Sequence, residues 1–178
     1  PPPAPPPAVP AEAGEFGSLA MCRNLAGALE HALTVRLADR TATGDPADDP
    51  ADDAADDAEA VFTVWNDNLA LAAATARVAA DGIVLRIVDE SSRTVPAPAA
   101  PLLEPLLRLY GLDWIERRAA LLLEHGVAGP GLLERVWAER RRVGDELAGR
   151  VGDLAAALDT PDPIAAPATP REAVQPLP

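Results

Sequence analysis

Two carboxylates, Glu116 and Glu124, and two imidazoles, His31 and His125, are the side chains best suited to move protons, and Cys22 is the only thiol. An acid and a base must reach one substrate atom together. Glu116 and Glu124 lie eight residues apart in what reads as a single helix, where a carboxylate more often pairs with an arginine such as Arg117 or Arg118, or caps the helix. The histidines have no partner ligands at zinc spacing. Cys22, set among Leu19, Ala20 and Leu25, reads as a small buried hydrophobe and not as a nucleophile.

Ion-binding chemistry has two further candidates. From Asp45 to Glu59, seven Asp and one Glu occur without a base, a density of hard oxygens that suits calcium. A calcium loop also needs a turn glycine and a terminal bidentate Glu at fixed offsets; both are missing, and Pro50 interrupts the tract. Arg140, Arg141 and Arg142 form the only dense basic run, and neighbouring Glu134, Glu139, Asp145 and Glu146 make an ion-paired helix face a better reading than a phosphate site. These residues assign no catalytic group and no metal site to the chain.

The elements that position these groups are expected to be helical throughout. The chain has 178 residues, 48% apolar and only 3% aromatic, so it can bury one core built from Ala, Leu and Val on closely approaching helices. We expect an all-α bundle of four to five helices. The first runs from Phe16 to about Arg40 on a stripe of Phe16, Leu19, Leu25, Leu29, Leu33 and Leu37. The second runs from about Ala58 to Val88, with Asp56 or Asp57 as its cap, Glu59 at the positive end of its dipole, and Val61, Trp65, Leu69, Ala72, Ala76, Ala80 and Val84 as its buried stripe. Gly82 is a weak point there, and the β-branched Ile83–Val88 would lack a pairing partner as a strand. A helix from Leu102 has Pro105 in its first turn and is expected to bend at Gly111-Leu112-Asp113, with Asp113 capping a further helix to His125. Gly126 and Pro130 stop that helix, and a last one spans Gly131 to about Leu158 on Leu133, Val136, Val143, Leu147, Val151, Leu154 and Leu158.

Outside these helices lie a Pro-rich linker at 1–14, an acidic loop at 42–57 and a Pro-rich tail at 161–178, leaving 15–160 as the helical domain. Net charge is −13, which disfavours nucleic acid and anionic membrane surfaces. No apolar run reaches membrane-spanning length. All basic residues are Arg, with abundant Ala and Pro, the bias of a GC-rich bacterial coding sequence. The chain begins with Pro, as a processed product or a piece of a longer polypeptide would. Trp65, Trp114 and Trp137 read as core anchors, one of which is free to face a partner subunit.

An ordered set of segments resembles the C-terminal helical domain of the acyl-CoA oxidases, in the acyl-CoA dehydrogenase superfamily. Tyr110-Gly111-Leu112-Asp113-Trp114-Ile115-Glu116 is similar to the family's Y-x-L-x-x-I-E element, and Leu123-Glu124-His125-Gly126 to its L-E-x-G turn. Phe62, Trp65-Asn66-Asp67-Asn68-Leu69 and the Ala-rich stretch to Arg77 resemble the helix with a Q-D-H-L signature, although Asn66 and Asn68 stand where Gln and His are usual. Leu158-Asp159-Thr160-Pro161-Asp162 and Ile164-Ala165-Ala166-Pro167 resemble the closing V-D-A-F and I-P-D segment without its aromatic. The likeness covers roughly 58–167, and the first helix more weakly.

That resemblance implies FAD-dependent α,β-dehydrogenation of an acyl-CoA in fatty acid β-oxidation, where a carboxylate takes the α-proton and the flavin takes hydride from the β-carbon. It also implies that the flavin domain and the catalytic Glu lie outside this chain, which carries no Gly-rich phosphate loop. The chain's part would be to pack against the catalytic region and help form a homodimer. With no peroxisomal address at Pro176-Leu177-Pro178, a bacterial cytoplasmic setting is expected. The alternative is a free-standing helical interaction module without catalysis.

Overall fold

A computed structural model describes residues 16–42, 54–97 and 99–158, and every regular element among them is an α-helix. There are six: α1 (Leu19–Thr41), α2 (Ala54–Asp67), α3 (Leu69–Ser92), α4 (Ala100–Glu124), α5 (Leu132–Ala148) and α6 (Val151–Leu158). The all-α expectation holds, and the expected elements are divided differently. The proline-rich arm and tail, and most of the Asp tract with its calcium reading, lie outside the described residues.

Ser18 starts α1 by accepting the Met21 N–H on its side-chain oxygen at 3.2 Å, the bond an N-cap supplies to an otherwise orphaned donor. Leu19, Cys22, Leu25, Ala26, Leu29 and Leu33 are buried along it, a stripe wide enough for two neighbours. One neighbour is α3 and the other is α4; α5 packs against α4. The core thus centres on α1, with Val78 and Leu85 entering from α3, Leu112, Ile115 and Leu122 from α4, and Leu132 and Val136 from α5.

The expected helix from Ala58 to Val88 is two helices. At Asn68 the side-chain Nδ2 donates to the Val64 carbonyl at 2.8 Å, and the backbone N–H turns to the Trp65 carbonyl at 3.2 Å. A side-chain amide that bonds local backbone competes with the helical ladder, and the chain breaks there. Helix α3 then runs unbroken through Gly82 and Ile83–Val88. Helix α2 starts at Ala54, so Asp56 and Asp57 lie within its first turns and do not precede it. Acidic residues at that end suit the positive pole of the macrodipole.

The expected bend at Gly111 is absent, because α4 is continuous from Ala100 to Glu124 and buries Gly111. A Cβ there would overlap the Gly17 carbonyl oxygen and lie 2.9 Å from Cys22 Sγ, so this glycine permits close contact between α4 and the start of α1. Pro105 lies inside the helix and not in its first turn. Its missing amide leaves the Pro101 carbonyl without a helical donor, and Arg150 Nη1 donates to that oxygen at 2.6 Å.

Gly126 ends α4 with a φ of +65°, a left-handed turn that glycine takes without steric cost. Val127 and Ala128 then donate to the Leu122 carbonyl at 2.9 and 3.0 Å. The expected last helix is interrupted at Gly149-Arg150, giving α5 and α6.

Candidate functional site

The carboxylates suited by type to proton transfer are held by arginines of neighbouring helices. Glu116 accepts Trp137 Nε1 at 3.1 Å and pairs with Arg140 Nη1 at 2.6 Å, which ties α4 to α5. Its expected partners go elsewhere: Arg117 pairs with Asp113 one turn back, and Arg118 donates to Asp81 on α3 at 2.6 Å. Glu124 meets Arg36 of α1 at 2.8 Å. The hydrogen bond and charge of Arg36 hold the Glu124 carboxyl below its ordinary value, the opposite of what a general acid needs at neutral pH.

The basic run divides in the same way. Arg140 crosses to α4, while Arg142 stays on α5 with Glu139 at 2.7 Å and Glu146 at 3.5 Å. Glu139, also reached by Arg108 at 3.4 Å, is drawn below its usual value first by the Arg142 hydrogen bond. Each contact between the long helices therefore carries its own ion pair; Arg23 and Asp89, at 2.6 Å, close the set between α1 and α3. Ion pairs that solvent screens fix helix register more than they supply stability.

Cys22 is fully buried, its Sγ 3.5 Å from the Gly111 carbonyl oxygen, and burial pushes its thiol up to about 12. A thiol so placed stays protonated and packs as an apolar side chain. His31 is exposed on α1 and His125 caps α4. Among the described residues no three His, Cys, Asp or Glu side chains gather as a metal site would require.

The structure also leaves large apolar side chains open to solvent. Trp114 is a core residue at 4% exposure, but Trp65 is 50% exposed and Trp137 51%. The stripe expected to be buried on the second helix is turned outward: Val61, Trp65, Leu69, Ala76, Ala80 and Val84 all face solvent, and only Ala72 is partly covered. The inner contacts of α3 come from Val78 and Leu85, with Leu71 and Val88 partly buried beside them. This reversal has a simple cause. Ala fills most of the first half of α3, so apolar residues recur on every face and the periodicity does not single out one of them.

Helix α3 is thus apolar on two opposite sides, with α1 against one of them. Phe62 on α2 is 70% exposed as well. Large apolar side chains exposed in this number mark a place where another surface binds. It is the strongest functional feature among the described residues, and it offers contact and not chemistry. No helix among these residues is long and apolar enough to cross a membrane.

Comparison with known families matches residues 31–164 to the acyl-CoA oxidases. No curated protein and no solved structure matches the chain. The match begins in the middle of α1 and runs past the end of α6, so it takes in the ion pairs of Glu116, Glu124 and Glu139 and the outward apolar face. The chain belongs to the acyl-CoA oxidase family.

Proposed function

We propose that this chain is the C-terminal helical scaffold of an acyl-CoA oxidase, which supports FAD-dependent α,β-dehydrogenation of acyl-CoA by packing against the catalytic region and by dimerising. FAD would supply the hydride acceptor, bound by parts of the enzyme outside this chain. The side chains described here do not fit a flavin or its catalytic base. Glu116, Glu124 and Glu139 are tied to Arg140, Arg36 and Arg142, and the most deeply buried tryptophan, Trp114, is packed within the core. No step of the reaction is therefore routed through these residues.

The observation that carries this reading is the second apolar side of α3. A helix apolar on two opposite sides has more apolar surface than one neighbour covers, and here one side awaits a cover. The substrate's chemistry then belongs to the covering part of the enzyme, and this chain sets that part's position. The test compares the purified chain with the intact oxidase in FAD and an acyl-CoA. The chain alone should retain no yellow flavin after desalting and release no peroxide, whereas the intact enzyme should do both. Flavin retention or peroxide from the chain alone would refute the scaffold reading.

A further inference from the structure

We infer that residues 16–18, just ahead of α1, form a releasable strap laid across α4, and that the seated Phe16 couples the chain ahead of α1 directly to the first half of α5. Helices α1 and α5 each pack along α4. The strap makes a second connection between them. Gly17 stands over the middle of α4: a Cβ there would lie 2.9 Å from Leu112 Cδ2 and 3.3 Å from Arg108 Cγ, and its carbonyl oxygen takes the space that a Cβ on Gly111 would need. One residue earlier, Phe16 is 3% exposed. The guanidinium carbon of Arg135, on α5, lies over its ring at 4.3 Å from the centroid.

The ties that hold these residues allow them to leave as a unit. Phe16 and Gly17 enter no backbone-to-backbone hydrogen bond among the described residues, so no ladder has to break. Gly17 holds a φ of +81°, which glycine adopts without steric cost. Ser18 starts α1 on its own, because its side-chain oxygen takes the Met21 N–H and its carbonyl oxygen takes the Cys22 N–H at 3.0 Å. The helix therefore begins correctly whether or not the residues before it are seated. What fixes the strap is the burial of one aromatic ring and one cation–π contact.

Arg135 is free to close that seat. Arg140 and Arg142 of the same helix reach carboxylates, whereas Arg135 is exposed and no ion pair among the described residues draws it off the ring. An arginine stem covers apolar surface while its head stays in water, so Arg135 roofs Phe16 without being buried itself. Leu132 and Val136, on either side of it in the sequence, are buried. With Phe16 in place the first half of α5 is held by the strap as well as by α4. With Phe16 withdrawn it keeps α4 alone, while the contact of α1 with α3 at Val78 and Leu85 is untouched. A displacement of the chain ahead of α1 thereby reaches α5 without passing through α1.

The experiment is amide hydrogen exchange on the full chain and three single variants, read separately for α1 and α5, because exchange reports local opening segment by segment. Phe16→Ala should speed exchange of amides 135–143 at least ~10-fold, since a buried aromatic ring is most of what holds the seat, and should leave amides 25–33 of α1 within ~2-fold of the wild type. Arg135→Met keeps a long apolar side chain and drops the cation; it should speed the same α5 amides about 3-fold, and it carries the test if Phe16→Ala does not fold. Ser18→Ala should do the reverse, loosening amides 21–24 while α5 exchanges as in the wild type. Unchanged α5 amides in both Phe16→Ala and Arg135→Met would show that Phe16 does not hold α5. A rise of equal size in α1 and α5, in Phe16→Ala or in Ser18→Ala, would show one cooperative unit with Phe16 as an ordinary core residue. Either result would overturn the strap.

Discussion

Replacing Gly111 by alanine is expected to destabilise the chain by about 2–3 kcal/mol, within the range seen when a methyl group is forced into a packed core. The added Cβ would collide with the Gly17 carbonyl oxygen and lie 2.9 Å from Cys22 Sγ. The first neighbour is backbone, which cannot rotate aside, so α1 and α4 must separate where Leu112, Ile115 and Cys22 pack. For a chain of this size the melting midpoint should fall by roughly 6–10 °C. Gly82→Ala is the matched control. Gly82 also lies inside a helix, but nothing stands within 4 Å of a Cβ built there, and the same substitution should stabilise by about 0.5–1 kcal/mol through lower chain entropy. Circular-dichroism melts at one fixed concentration read both effects. Equal midpoints for Gly111→Ala and wild type would show that α1 and α4 do not approach this closely.

The second large effect separates the two sides of α3. Leu85 is fully buried, and Leu85→Ala should cost about 2–5 kcal/mol from lost transfer energy and the cavity left behind. Ile87, only two residues on, points roughly 200° away around the helix and is 53% exposed. In the isolated chain, Ile87→Ala should change stability by no more than about 0.5 kcal/mol. If Ile87→Ala is the more costly change in the monomer, α3 is rotated by about half a turn from the orientation described here.

The differing outcomes along the sequence have physical causes. On α1 the leucine stripe is legible because Arg23, Asn24 and His31 occupy the opposite side, so the amphipathic period has contrast. On α3 alanine erases that contrast. The sequence shows that the helix is apolar, but the side against α1 is decided by Val78 and Leu85 in three dimensions. Gly111 followed by Asp113 carries the local signature of a bend and cap. Only the tertiary contact with Gly17 and Cys22 shows that the glycine serves close approach, while Asp113 pairs with Arg117 and Arg140. Asn68 does offer a signal, since a short amide near a run of alanines can compete for backbone bonds, yet its place in a family motif is what stands out in the sequence.

The candidate site divides in the same way. Tyr110–Glu116 and Leu123–Gly126 carry the family likeness, and they fall on the buried part of α4 and on the turn that ends it. The i,i+4 pair of Arg117 with Asp113 is within reach of spacing rules. The partners of Glu116 and Glu124 are not, because Arg140 and Arg36 lie on other helices and no local pattern encodes which helix packs alongside. The apolar surface itself is visible in the residues Val61, Trp65, Leu69 and Val84. Its exposure is not, since periodicity identifies a face without saying whether the chain itself or a partner covers it.

If the outer side of α3 is made to be covered in the assembled enzyme, its backbone should be guarded there and open in the chain alone. Amide hydrogen exchange on the intact oxidase and on this chain at monomeric dilution tests this most directly, because protection rises where a helix is packed on both sides. Amides 69–87 should exchange markedly more slowly in the intact enzyme, while those of 22–33 on α1, already packed within the chain, stay nearly unchanged. Equal exchange of 69–87 in the two samples would contradict the claim.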